Sequence, residues 1–365
     1  MSEREPVVSA EGNDERHQPA DQVGQQRRGA EGLHAGDGNA PMRGGRCASN
    51  GDEQDDLLDQ GAHVGRVDEE RRGEDLTKRI VVCGDDFGMN GDIDEGMIAL
   101  AAMGRVSAVS CLSLGPTVRA NATRLAALDV DLGLHVNFTE PLGGGDDADL
   151  PSLARLILRA YTRRLDVDWV DQHLARQFDA FEAAFGRAPD YVDGHQHVHQ
   201  LPVIRERLLA LLRQRYAARM PWLRQTAPGM LCGIPLKESL KARIIGALGA
   251  AELGRRARRE GLRTNRRLLG VYGFDGGKRR YADLLQNWLF NARDCDLLMC
   301  HPAKGSHGDS AMARQRRAEY EVLACPKLGD WLAANGVRIA RLPRNAARPV
   351  GRRGLCEAPL SADRP

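Results

Sequence analysis

From Arg79 onward the chain alternates short apolar runs with stretches of helical periodicity. Ile80-Val81-Val82-Cys83 is a β-branched run that stops at Gly84 and predicts a first strand over 79–84. Similar runs predict strands over 106–113, 130–135, 190–195, 268–273, 296–300 and 337–341, with a weaker one near 221–225. Amphipathic spacing between them predicts helices over 92–103, 115–127, 152–163, 168–186, 202–218, 236–260, 280–292 and 327–335. The plainest is 168–186, where Val170, Leu174, Phe178, Phe181 and Phe185 recur at helical spacing and Gly186 supplies the stop. Seven or eight strand–helix alternations indicate an α/β fold built as a single parallel β/α barrel.

The first 75 residues break this pattern. They contain no Lys, few aromatic or β-branched residues, and 18 acidic against 9 basic side chains. Such a stretch cannot bury enough apolar surface to fold, so residues 1–76 are expected to be a disordered extension. Folded character begins so abruptly that synthesis starting near Leu76 is the expectation, with the extension absent from the native product. Residues 77–342 are expected to form the barrel, and the Pro- and Arg-rich segment 343–365 a disordered basic tail. The whole chain carries a net +2, which leaves +11 outside the acidic extension. That surplus fits an anionic substrate or surface, or simply a solvated face.

No run approaches the ~18 apolar residues of a membrane span, and a basic-then-apolar signal layout is lacking. The eight cysteines form no CxxC pair, which suits reduced thiols and a cytoplasmic protein. Cys83 and Cys300 each end an apolar run and read as small buried residues.

Candidate chemistry sits at the ends of the predicted strands: Cys83-Gly84-Asp85-Asp86-Phe87-Gly88, Gly133-Leu134-His135-Val136-Asn137, Asp193-Gly194-His195-Gln196-His197-Val198-His199, and Met299-Cys300-His301-Pro302. In a β/α barrel the loops after the strands build the active site, so one cleft can hold Asp85, Asp86, His135, His195 and His301. Adjacent carboxylates on a turn point different ways, so one can bind a metal while the other addresses a water. An extended strand would put His195, His197 and His199 on one face. Two readings stay open there: one histidine ligates a metal with Asp86 and His135, or an HxH pair does. His301, near the metal and not needed as a ligand, suits proton donation to a leaving group. His173 and His307 read as incidental.

At these four motifs the sequence resembles the YdjC-like carbohydrate deacetylase family, which includes chitooligosaccharide deacetylases and a hopanoid-associated branch. The family patterns are ADDFG, GLHxNxT, DSHHHVH and MCHP, and the likeness runs from Arg79 to Leu342. The resemblance implies a barrel of the glycoside hydrolase/deacetylase type that removes acetyl from an N-acetylated sugar. It implies Asp86, His135 and His195 as metal ligands and Asp85 as the base. The metal implied by the family is Mg²⁺, whereas one carboxylate and two imidazoles suit Zn²⁺ or another transition metal. The chain departs from the family patterns at Gly84 for Ala, Gly194 for Ser and Gln196 for His. On an extended strand Gln196 would face away from His195, sparing the metal.

Specificity is expected from Asn137, Arg224 and Tyr272-Gly273-Phe274-Asp275. Arg255, Arg256, Arg258, Arg259, Arg263, Arg266 and Arg267 follow a helix whose Leu240, Ile244 and Leu248 share a face. This arrangement fits peripheral contact with anionic membrane and a lipid-linked sugar, or a solvated helix. Nucleic-acid binding ranks lower because aromatics are not interleaved with the arginines. The rivals are a metal-dependent phosphoesterase or amidohydrolase using HxH ligation, and a non-catalytic carbohydrate-binding barrel. The sequence leaves the oligomeric state open, a dimer included.

Overall fold

The computed structural model describes residues 77–142, 150–305, 308 and 310–343. The expectations for residues 1–76 and for the tail beyond Pro343 therefore lie outside the described residues, as does His307. In chain order the elements are β1 (Lys78–Phe87), α1 (Gly91–Ala102), β2 (Ala108–Cys111), α2 (Val118–Ala126), β3 (Asp131–Val136), α3 (Leu153–Tyr161), α4 (Val167–Phe185), β4 (Tyr191–Gly194), α5 (Ile204–Tyr216), β5 (Trp222–Leu223), α6 (Leu236–Ala247), α7 (Ala250–Arg259), β6 (Leu268–Leu269), α8 (Gly277–Asn291), β7 (Leu297–Cys300), α9 (Ala311–Leu323), α10 (Pro326–Ala334) and β8 (Val337–Ile339).

The strands pair in parallel in the order β5-β4-β3-β2-β1-β7-β6, and β8 pairs with the start of β1. Parallel bridges Leu223–Thr264 and Pro228–Leu268 tie the two ends of that order together, so the sheet curls into a barrel. The eight expected strands are all present, and the parallel barrel class holds.

Alternation along each strand divides two cores. Ile80, Val82, Leu132, Leu134, Val192, Leu298 and Cys300 pack outward against the helices. Val81, Cys83, Ala108, Tyr191, Trp222, Leu297 and Met299 fill the barrel interior. This two-residue period decides which polar side chains reach the site.

Two helix expectations need correction. The helix expected over 236–260 is two helices, because Gly249 takes φ +138°, a conformation closed to residues with a side chain, and breaks the backbone between α6 and α7. Helix α9 is absent from the hydropathy pattern altogether. Its N-cap is Ser310, whose hydroxyl accepts from the Ala313 amide, but its buried face sets Gln315, Arg316 and Glu319 among Ala318, Val322 and Leu323, which breaks up the apolar stripe. Elsewhere the expected stop holds: Gly186 ends α4 in the left-handed conformation, and the structure adds Asp166 as the cap at its start.

Candidate active site

The strand period sends one set of side chains inward at the carboxyl ends of the strands. Asp85 follows Val81 and Cys83 in phase, Ser110 follows Ala108, Asp193 follows Tyr191, Arg224 follows Trp222, and His301 follows Leu297 and Met299. His135 shares the inward phase because Leu134 and Val136 pack outward. By the same rule Asp86 should point away from the site. It does not, because β1 carries a bulge there: from Gly84–Val109 to Phe87–Cys111 the register advances three residues on β1 and two on β2. Asp86 itself takes φ +77°, an uncommon conformation for a residue with a side chain. The bulge therefore turns both neighbouring carboxylates toward one centre, within a strand and not on the turn expected after it.

Asp86 is the hub of that centre. Its Oδ1 lies 2.9 Å from His195 Nδ1 and 3.4 Å from His135 Nε2, and its Oδ2 lies 2.5 Å from Arg316 Nη2. The donor atoms of Asp86, His135 and His195 lie within 4.8 Å of one another, close enough to converge on a single cation. Asp193 Oδ1 is 2.6 Å from His135 Nδ1, so Nδ1–H donates to the carboxylate and Nε2 faces the cluster. A carboxylate behind an imidazole orients histidine for metal binding in this way, so the donor set fits a divalent metal.

A second network lies behind the first. Arg224, fully buried, donates through both terminal nitrogens to Asp85, each at 2.6 Å, and its Nη2 lies 2.5 Å from Asp193 Oδ2. Ser110 Oγ donates to Asp193 at 2.6 Å, and Cys83 Sγ lies 2.9 Å from Arg224 Nη2. Cys83, Asp85 and Asp193 also converge as a group, but the guanidinium already occupies the space between them.

These contacts set the charges. Burial works against ionising Asp85, Asp86 and Asp193. Arg224 beside Asp85 and Asp193, and Arg316 beside Asp86, still hold all three below the ordinary carboxylate value. Burial alone would lower His135, but Asp193, Asp86 and Asp85 outweigh it and push the imidazole up to about 10, so a proton and a metal ion compete for Nε2. Burial pushes His301 down to about 4 against the pull of Asp86 and Asp85. Its imidazole is therefore neutral until a proton is delivered. Burial also pushes the Cys83 thiol upward, leaving it protonated and inert.

Asp85, Asp86, His135, His195 and His301 all come together, with His301 Nε2 3.9 Å from Asp85 Oδ2. The Phe274 ring stands edge-on to His301 at 4.7 Å and forms one wall of the site. Arg224 is enclosed among carboxylates and presents no free face to a substrate. The Asn137 side chain is engaged in its own loop, donating to the Glu140 carbonyl and accepting from the Thr139 and Glu140 amides.

The histidine run is not an extended strand. His195–Gln200 is a 3-10 segment in which Gln196 and His197 take left-handed φ of 53° and 62°. Only His195 of the run joins the Asp86 cluster. His197 is buried, and His199 donates from Nε2 to the Arg224 carbonyl at 3.0 Å. Gln196 is exposed, for this reason and not through strand alternation. At Gly194 a Cβ would stand 2.9 Å from the His199 amide nitrogen, so the tight turn here is fitted to glycine.

The motif reading gives no role to three residues of the site: Asp193, Arg316 and Glu319. Strand phase makes Asp193 legible, whereas the other two lie on α9. Glu319 is fully buried, accepting from the His301 amide at 2.6 Å and from the Tyr272 hydroxyl at 2.5 Å. Burial raises its carboxyl from 4.5 to about 7. The folded chain thus holds a proton that the unfolded chain releases, so this contribution to stability is full below the unfolded value and is lost as pH rises through 7. Glu319→Gln imitates the protonated form and should gain on the wild type by about 2–3 kcal/mol between about pH 5 and pH 8. Denaturant titrations of both proteins at the two pH values check this, and a constant difference would reject it.

Fold and site together define a parallel β/α barrel with its polar centre at the carboxyl ends of the strands. The sequence profile of the YdjC-like protein family matches residues 79–334, and the chain belongs to that family. A Homo sapiens protein named carbohydrate deacetylase is 29% identical over 315 residues, covering 77% of this chain and 95% of its own length. A chitooligosaccharide deacetylase from Yersinia pestis bv. Antiqua (strain Angola) is 32% identical over 278 residues, covering 72% and 98%. Among solved structures, the Bc1960 peptidoglycan N-acetylglucosamine deacetylase aligns with a TM-score of 0.42 and 12% identity, over 73% of this chain and 88% of that one.

Proposed function

We propose that this protein is a divalent-metal-dependent hydrolase that removes the acetyl group from an N-acetylated sugar. As a YdjC-like protein it is an enzyme of the carbohydrate deacetylase class, acting on a linear amide C–N bond. The observation that carries the finer reading is convergence: the Asp86–His135–His195 donors lie beside an Arg-paired Asp85 whose Oδ2 is 3.9 Å from His301 Nε2.

Asp86, His135 and His195 would hold the metal, which when bound polarises the acetyl carbonyl and acidifies water. Asp193 fixes His135, and Arg316 fixes the outer oxygen of Asp86. Asp85, ionised and held by Arg224, takes a proton from the attacking water. The hydroxyl oxygen adds to the acetyl carbon, the amide C–N bond breaks, and the departing nitrogen gains a proton. His301 is the donor, because a proton accepted at Asp85 stands next to its Nε2 and the neutral ring can receive it. Phe274 walls the leaving-group side. The donor set suits Zn²⁺ or a similar transition metal as well as Mg²⁺ by family resemblance, and elemental analysis after chelator-free purification identifies which.

Acetate release across a panel of N-acetylated sugars, free and lipid-linked, tests the reaction, and absence of release from every member would overturn it. The HxH rival is separated by metal content. His195→Ala should lose the metal, whereas His197→Ala should retain it, since His197 lies outside the donor cluster. The reverse result would favour the phosphoesterase or amidohydrolase reading.

A further inference from the structure

Helix α6 is built inside out. Leu236, Leu240 and Ile244, spaced four apart along one ridge, are 85%, 55% and 53% exposed. Its inward face carries Glu238, Ser239 and Ala242. Glu238 pairs with Arg280, and Ser239 donates to the Ile234 carbonyl at 3.1 Å. A surface helix ordinarily turns its apolar stripe to the core, so a ridge of three large apolar side chains left in solvent marks a contact surface.

Charge selects the partner. Lys237, Lys241 and Arg243 are exposed on the same helix, Lys237 pairing with Asp275 and Lys241 donating to the Tyr272 carbonyl, while its one acidic residue, Glu238, is turned inward. The arginine cluster from Arg255 onward is a weaker attractant than its sequence suggests. Arg255 and Arg256 pair with Glu252, and Arg266 pairs with Asp296. Leu248, expected on the apolar face, instead packs partly buried against the core, and Leu236 takes its place on the ridge. A second copy docking through the same ridge about a twofold axis would bring the three cations against their own counterparts. An anionic lipid surface accepts both the apolar ridge and its basic flanks.

We propose that the outward face of α6 docks this protein on an anionic lipid bilayer. The site lies close by: Lys241 Nζ is 5.6 Å from the Phe274 ring, which stands against His301. Docking through α6 would thus bring the Phe274 wall near the membrane. The proposal rests on the surface alone and is independent of the reaction assigned above.

Vesicle flotation tests it with the full chain. Binding to phosphatidylglycerol-containing vesicles is expected, with little binding to pure phosphatidylcholine and loss at high salt. Leu240→Ser with Ile244→Ser should weaken binding at least about tenfold, and Arg243→Glu should do so separately. These substitutions lie on the exposed face, and a thermal melt checks each fold. Should the double variant fail to fold, Arg243→Glu alone decides. No binding to anionic vesicles, or equal binding by the folded variants, would overturn the proposal. So would a wild-type dimer in sedimentation equilibrium that the double variant dissolves, which would assign the ridge to a second copy.

Discussion

Asp85→Asn is expected to lower turnover by about 10²–10⁴-fold while leaving the metal content of the purified protein at the wild-type level. The expectation follows from the division of labour across the bulge in β1. Asp86 faces the two imidazoles, whereas both oxygens of Asp85 face Arg224 and one stands 3.9 Å from His301. Asn preserves the volume and can still accept from Arg224 through its single oxygen, but it cannot take a proton from water. Its amide also turns a donor toward the guanidinium, so some stability should be lost as well, and a melt separates that loss from loss of chemistry. Acetate release measured beside elemental analysis distinguishes the outcomes. Full turnover in a folded variant would remove Asp85 as the base, and loss of metal would make it a ligand.

The barrel is legible in the sequence because its strands are short apolar runs with turn signals, and all eight stand where those runs place them. The inward phase of Asp85, His135 and His301 is also there to be read, and the same phase exposes Asp193 and Arg224 as parts of one buried network. An arginine near a pocket suggests substrate recognition, yet the in-phase neighbour of Arg224, Trp222, fills the barrel interior. Asp86 is legible only by motif, since simple alternation sends it the wrong way and a one-residue bulge reverses the outcome. Helix α9 escapes because hydropathy equates polar with exposed. Gln315, Arg316 and Glu319 are buried there to hold Gly277, Asp86 and the His301 amide, so the helix face nearest the site looks solvent-facing in sequence. The histidine run misleads for a related reason: left-handed residues at Gln196 and His197 cancel strand alternation, and nothing in their side-chain types announces it.

Arg224→Ala should be the most damaging single change in the barrel interior, costing about 3–5 kcal/mol. Arg224 contacts both Asp85 and Asp193 through its guanidinium, and all three groups are buried. Removing it leaves two carboxylates in a low-dielectric interior with His135 as the remaining cation beside Asp193. The carboxylates would then take up protons, and Asp85 could no longer serve as an ionised base at neutral pH. At about 2–4 °C per kcal/mol for a domain near this size, the melting temperature should fall by roughly 6–20 °C. Arg224→Lys should recover only part of the loss, because a single ammonium cannot reproduce the paired 2.6 Å contacts to Asp85. The acid limb of the pH–rate profile should also move upward in the lysine variant, which a purely structural role for Arg224 would not produce. A melt within a degree or two of wild type, with an unshifted profile, would mean that the guanidinium does not set the charge on Asp85, and the base assignment would lose its physical support.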